Sequence, residues 1–153
     1  MIVKVVTLQE ANSLLPLVKE HFLQIGFLLG KLHTVKIACQ SKNLLWRVSQ
    51  NNSYIKLIKK SNKKQYKKDV KVEINKIENL IEDEVNNISK LGGIIKSLFP
   101  PHIDFLSTKN GQLIYLCWHA NELEITHWHY FDDNYVERQI INKEKEFGPS
   151  VVH

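Results

Sequence analysis

"HIDFLSTKNGQLIYLCW" (residues 102–118) decides the fold of this chain. From Gly93 onward the apolar residues follow a period of two, which is typical of β-strands. The pair Asn110-Gly111 strongly favours a tight two-residue turn. The stretch therefore predicts a β-hairpin with strands at 102–107 and 112–118.

The segments on either side extend this hairpin. "IIKSLF" (94–99) precedes it as another strand, and "LEITHWHYF" (123–131) follows it after a turn at "HANE" (119–122). We therefore expect a C-terminal β-meander over 93–131 and a polar, mostly irregular tail over 132–153.

The N-terminal part predicts a long helix. "IVKVV" (2–6) is rich in β-branched residues and predicts a strand at a sheet edge. Thr7 and Glu10 then form a capping box, so a helix should begin at Leu8. Its apolar residues step alternately by three and four and keep their phase across Pro16, which indicates one kinked helix reaching about residue 39. These seam positions are Leu8, Ala11, Leu15, Val18, Phe22, Ile25, Leu29 and Leu32.

A second helix is expected over about 67–91, where a similar spacing recurs and Gly92-Gly93 marks the end. Two such helices joined by a connection predict an antiparallel helical hairpin over 7–91. The fold class is therefore α+β: a long helical hairpin packed with a small antiparallel sheet, in a single domain over 1–153. One hairpin leaves much of its apolar stripes uncovered, so either the sheet or a second subunit must cover them. We expect a homodimer through the helices.

Composition excludes several classes of protein. With 153 residues and 43% hydrophobic residues, the chain is long enough and apolar enough for one globular domain. No apolar run approaches the roughly 20 residues of a membrane span, and the N-terminus does not resemble a signal peptide. Cytoplasmic location is the default, and Cys39 and Cys117 are interpreted as reduced thiols.

The most basic segment lies in the middle of the chain. Residues 56–71 carry eight lysines against Asp69, in and after a connector expected over about 50–66. The segment is either a solvated connection or an electrostatic binding site for nucleic acid, which would act through phosphates without sequence specificity. The candidate lysines for this alternative are Lys56, Lys59, Lys60, Lys63, Lys64, Lys67 and Lys68.

Candidate metal ligands cluster in "LCWHANELEITHWHY" (116–130). They are Cys117, His119, His127 and His129, and a thiolate with neutral imidazoles suits zinc or iron. Their spacing matches no known zinc motif. If the turn pairs Cys117 with His127, all four line one surface, whereas a register one residue tighter places the two pairs on opposite faces.

Two other interpretations of these residues compete with a metal site. In the first, Cys117 is a small buried hydrophobe and His129 a hydrogen-bonded core histidine. In the second, the protein is an enzyme, for which Cys117 near a histidine is the only candidate nucleophile.

Two blocks of sequence resemble a known family. "TLQEANSLLPLV" (7–18) and the segment over 92–139 are similar to the bacterial and archaeal domain-of-unknown-function family twenty-two-zero-three. Matching positions are Asp104, Phe105, Gly111, Leu116, Cys117, Trp118, Glu122, Ile125, Trp128, His129 and Arg138. His119 stands where the family has an arginine, so the resemblance implies no metal role for it. The resemblance implies a fold and candidate residues but no function.

Within the resemblance, the candidates for ligand binding are Asp104, Glu122, Arg138, Trp118 and Trp128. The three charged residues either bind an anionic ligand through Arg138 or form a structural network of salt bridges. From the whole sequence we expect a non-enzymatic ligand- or metal-binding regulatory protein, with a polar site around the Cys-Trp and Trp-His strands.

Overall fold

A computed structural model describes residues 4–38, 63–131 and 137–149, and of Ala38 and residues 63–66 it describes the backbone only. Two long helices precede a five-stranded antiparallel sheet, so the expected α+β class with a helical hairpin is confirmed. The helices are α1 (Leu8–Ala38) and α2 (Lys63–Lys90). The strands are β1 (Gly93–Leu98), β2 (Pro101–Lys109), β3 (Gln112–His119), β4 (His127–His129) and β5 (Gln139–Ile140), and a 3-10 helix spans Glu144–Glu146.

Helix α1 begins as its sequence predicts. The Thr7 N–H donates to Glu10 Oε2 (2.9 Å) and the Glu10 N–H donates to Thr7 Oγ1 (3.0 Å), which completes the capping box. The helix is continuous through Pro16. Its buried positions follow the predicted seam as far as Ile25, and then Leu28 is buried in place of Leu29.

The chain divides into two compact units, Met1–Leu23 with Val85–His153 and Gln24–Glu84. In the second unit, apolar side chains of the two helices pack into one cluster. Its buried members are Leu28, Val35, Val70 and Ile77, and the partly buried Leu32, Ile74 and Ile81 pack against them.

In the first unit, the strands lie in the order in which they follow one another along the chain, and every pair is antiparallel. Asn110 (φ 50°) and Gly111 (φ 84°) form the predicted two-residue turn, so Lys109 pairs with Gln112. At the start of β1, a side chain on Gly93 would collide with Ile88 and Ile103, which explains the glycine there.

Several boundaries differ from the predicted ones. Residues 4–7 are not a strand, although the Val6 N–H donates to the Leu106 carbonyl (2.9 Å) and so contacts the edge of β2 beyond the end of β1. The third strand of the meander is confined to His127–His129, because the segment before it bonds elsewhere: the Ile125 N–H donates to Asn12 Oδ1 (2.8 Å).

Other expectations fall partly outside the described residues. Most of the basic connector (50–66) lies outside the described residues, and its last four residues belong to α2. The tail is less irregular than expected, since it adds β5 to the sheet and buries Phe147. Neither described helix has an apolar stretch long enough to cross a membrane.

Candidate functional site

The strand register gathers the polar candidates on one side of the sheet. Cys117 pairs with His127, and Tyr115 pairs with His129, so the register that unites the candidates is the one the chain adopts. The neighbouring pairing of β2 with β3 joins Asp104 to Cys117 and His102 to His119. Because paired residues of an antiparallel sheet point to the same side, these side chains share a surface that we call the polar face. Its members are His102, Asp104, Cys117, His119, His127 and His129.

The opposite surface, the apolar face, belongs to the hydrophobic core. Trp118 is buried there, with its ring 6.2 Å from that of Phe22 and its Nε1–H donating to the Glu122 carbonyl (2.8 Å). Trp128 is buried against Phe147. Both tryptophans therefore lie on the side of the sheet away from the histidines, although the sequence suggested them as ligand-binding residues. The other buried residues of this face are Ile103, Phe105, Ile114 and Leu116.

The polar face contains two groups of side chains that are spaced to hold a metal ion. One comprises His102, Cys117 and His119, and the other comprises Asp104, Cys117 and His129. Within each group the ligand atoms all lie within 4.8 Å of one another. Cys117 belongs to both groups, and its Sγ lies 3.1 Å from His102 Nε2 in a hydrogen bond whose direction depends on the imidazole tautomer.

Asp104 and His129 form the most deeply buried part of the polar face. Asp104 is 1% exposed and His129 4%, and His129 Nε2 lies 3.1 Å from Asp104 Oδ2. The other ring nitrogen, Nδ1, donates to the Tyr130 carbonyl (2.8 Å). With Nδ1–H committed to a carbonyl, a proton or another cation must lie between Nε2 and the carboxylate for their contact to be attractive.

The surroundings of Asp104 are only partly complementary to a carboxylate. Among the described residues, Oδ1 has no hydrogen-bond partner, and His102 Nε2 lies 3.5 Å from it. Lys96, at a bulge in β1, has its Nζ 4.0 Å from Oδ2. Burying a carboxylate oxygen without a hydrogen-bond donor raises the free energy of the folded state. A cation bound at this position would offset that cost.

Burial alters the protonation of several members of the polar face. Burial and the negative charge of Asp104 raise the pKa of the Cys117 thiol to about 12. Burial is also the main cause that lowers the pKa of His102 and His119, and the Arg138 charge adds to the lowering at both. At neutral pH the two imidazoles are therefore neutral and carry a lone pair, while the free Cys117 is a protonated and weak nucleophile.

A second polar cluster lies beside the first and is held together by hydrogen bonds between its own charged groups. Arg138 NH2 donates to both carboxylate oxygens of Glu122 (2.7 and 2.9 Å) and to the Cys117 carbonyl (3.2 Å). The His119 backbone N–H donates to the same carboxylate (2.7 Å), and His127 Nδ1 lies 3.4 Å from it. Although burial pushes the pKa of Glu122 upward, the hydrogen bonds from Arg138 and His119 outweigh it, so the pKa is lowered. The three charged candidates thus divide into Asp104 with His129 and Glu122 with Arg138.

Sequence reasoning missed His102. The signal that identifies it is the Asn110-Gly111 turn. A two-residue turn pairs Lys109 with Gln112 and, three pairs further on, Leu106 with Tyr115. Continued along β2, the same register pairs Asp104 with Cys117 and His102 with His119. His127, which the sequence did suggest, belongs to neither group and points toward Glu122.

The lysine candidates are only partly described. Lys67 and Lys68 are exposed near the start of α2, and Lys63 and Lys64 belong to its first turn, where only the backbone is described. Lys56, Lys59 and Lys60 lie outside the described residues.

The sequence as a whole matches a family described as "Uncharacterized conserved protein (DUF2203)" over residues 4–141. The chain belongs to this family. The resemblance stated from the two sequence blocks is therefore confirmed. No curated protein and no solved structure matches the chain. Since the family description states no activity, the function has to be argued from the site.

Proposed function

We propose that this protein binds one transition-metal ion, most naturally zinc, on the polar face of its sheet and works as a non-enzymatic regulatory protein. The observation that carries the proposal is that the Cys117 sulfur belongs to two groups of closely spaced ligand atoms. One group adds the imidazoles of His102 and His119, and the other adds the Asp104 carboxylate and the His129 imidazole. A buried Asp104 oxygen without a hydrogen-bond donor among the described residues marks a position for a cation.

The donor set favours zinc over calcium or magnesium. Those two ions prefer an all-oxygen environment, whereas a cysteine sulfur with imidazole nitrogens suits zinc or iron. The neutral state of His102 and His119 supports the same choice, because metal ligation needs a free lone pair. The high pKa of Cys117 argues against a free nucleophilic thiolate, and in a metal site the ion itself would have to displace the thiol proton.

The test is the metal content of purified protein after reconstitution with zinc or iron(II) and removal of loosely held ions. We expect one equivalent. Cys117→Ser, which removes the ligand common to both groups, and His129→Ala, which removes the partner of Asp104, should each weaken the affinity by about 10- to 100-fold. His127→Gln is the matched control, since His127 is on the same face but in neither group, and it should bind as the wild type does. Less than about a tenth of an equivalent in the wild type would contradict the proposal.

A second candidate function is nucleic-acid binding through the lysine-rich segment. The observation in its favour is the placement of Lys63, Lys64, Lys67 and Lys68 within the first six residues of α2, whose first turn contains no acidic residue. Cations at a helix N-terminus oppose its dipole, so these charges do not serve the helix itself. Affinity for DNA or RNA should fall steeply with salt and be lost when Lys59, Lys60, Lys63 and Lys64 are replaced by Gln. Absence of binding at low salt would exclude it.

A cytoplasmic homodimer formed through the helices also stays a prediction. Its support is that Leu23 and Phe27, one turn apart on α1, are 74% and 62% exposed. Sedimentation equilibrium should give twice the chain mass for the wild type and the chain mass for L23E/F27E. A monomeric wild type at high micromolar concentration would contradict the dimer.

A further inference from the structure

The two groups of candidate metal ligands differ in the solvent exposure of their side chains. Asp104, Cys117 and His129 are all buried. His102 and His119 are only half-buried, and their rings stand against each other with centroids 4.1 Å apart. These two rings form the inner wall of an open cleft of about 460 Å³. The rest of its lining is Ser97, Pro100, Pro101, Ala120 and Asn121.

We propose that an ion held by His102, Cys117 and His119 keeps one coordination position open to this cleft and takes a small monoanionic ligand there. The inference rests on the proposed metal site and specifies what that site recognises. Three protein ligands leave a four-coordinate zinc ion with one exchangeable position, as in zinc sites that bind water or substrate. Cys117 is fully buried and is not part of the cleft lining, whereas both imidazoles are. An ion that contacts all three would therefore lie between Cys117 and the cleft, with its remaining position on the side of the cleft.

The charge of the site selects the class of ligand. A divalent ion with one thiolate and two neutral imidazoles has a net charge of plus one, which a monoanion neutralises. The charge of the neighbouring Asp104 carboxylate is balanced by Lys96, whose Nζ lies 4.0 Å from Oδ2. The side chains that complete the cleft carry no formal charge, so nothing in the lining pairs with the further charges of a polyphosphate or a dicarboxylate. The open coordination position therefore accommodates a compact anion that binds the metal through a single donor atom.

Cobalt(II)-substituted protein tests this, because the d–d absorption of cobalt reports its coordination while the thiolate charge-transfer band reports that the ion is bound to Cys117. Azide is the probe. We expect one equivalent of cobalt, a charge-transfer band, and a saturable change in the d–d bands with azide. The variant Ala120→Trp, which places a large ring in the cleft, should keep the charge-transfer band and weaken azide binding by about tenfold or more.

Leu123→Trp is the matched control, since Leu123 is 92% exposed and is not part of the cleft lining, and it should respond to azide as the wild type does. Cobalt bound in one equivalent with d–d bands that azide leaves unchanged would overturn the inference and leave the metal site standing. If Asp104→Asn then acquired the azide response, the Asp104 carboxylate would be the fourth ligand that closes the site. Failure to bind cobalt or zinc at all would overturn both the metal site and the inference.

Discussion

The two faces of the sheet both contain buried side chains, but of different kinds. The apolar face buries large side chains such as Phe105 and Leu116, each contributing about 1.5–3 kcal/mol of transfer free energy. The polar face buries Asp104, Cys117 and His129, and burial of a charged carboxylate opposes folding unless it is fully paired. Burial of the apolar face is therefore favourable in itself, whereas burial of the polar face has a cost that the proposed metal ion would offset.

The largest effect is expected on the apolar face. Leu116→Ala should lower the free energy of unfolding by about 2–5 kcal/mol, because it removes a fully buried side chain and leaves a cavity. The measurement is urea denaturation of the metal-free protein. Leu123→Ala is the control, since Leu123 is largely exposed and should change stability by less than about 0.5 kcal/mol. Equal effects of the two substitutions would contradict the claim that burial on the apolar face stabilises the fold.

The Glu122–Arg138 pair should behave as a structural feature of the polar side. Glu122→Gln should destabilise the protein by about 1.5–3 kcal/mol at pH 7, because it replaces charge-assisted hydrogen bonds from Arg138 and the His119 N–H. Exposed Glu124→Gln is the matched control and should have little effect. Urea titrations of both variants give the comparison.

The same pair gives a pH dependence of defined sign. Since the folded state lowers the pKa of Glu122 from its ordinary value of 4.5, its contribution to stability is fully present above that value. The contribution is lost as the pH falls through the lower, folded pKa. The difference between wild type and Glu122→Gln should therefore be constant from pH 7 to 5 and shrink below about 4.5. A difference that persists unchanged into strong acid would contradict the ion pair.

Substitution of Asp104 tests whether the polar face binds a metal ion or only contributes to the stability of the fold. In metal-free protein, Asp104→Asn should change stability by less than about 1 kcal/mol, because it removes a buried charge as well as its contact with His129. With zinc at about a thousand times its dissociation constant, the wild type should gain about 4 kcal/mol. The variant should lose about 1.4–2.7 kcal/mol of that gain, equivalent to a 10- to 100-fold weaker affinity. An equal loss with and without zinc would make Asp104 structural.

The sequence predicted the hairpin better than it predicted the site, and the reason is the range of the interactions involved. Asn110-Gly111 determines the pairing of β2 with β3 locally, so the alignment of Asp104 with Cys117 was readable in principle. The pairing of β3 with β4 follows a turn that no local signal specifies. The segment before β4 is held instead by Asn12, 113 residues away along the chain.

The prediction for helix α1 was limited in the same way, by contacts between residues distant in the sequence. The buried positions of α1 follow the predicted seam as far as Ile25, but Leu28 is then buried in place of Leu29 although the heptad spacing continues through Leu32. Nothing in the periodicity of α1 alone indicates which tertiary partner each turn of the helix meets. Contacts with residues distant in the sequence therefore decided both the errors in the helix and the uncertainty in the site.

The smallest expected effect tests whether the two faces are independent. Trp118→Phe keeps an aromatic ring near Phe22 but removes the hydrogen bond from Nε1 to the Glu122 carbonyl, so stability should fall by about 0.5–1.5 kcal/mol. Zinc affinity should not change, because the indole points away from Cys117 although the two residues are adjacent. Trp128→Phe is the control, since it makes the same change of ring and leaves the hydrogen bond from Trp118 Nε1 to the Glu122 carbonyl in place. Loss of zinc affinity in Trp118→Phe but not in Trp128→Phe would show that the turn at Glu122, and not the pleat of the sheet alone, positions the metal ligands.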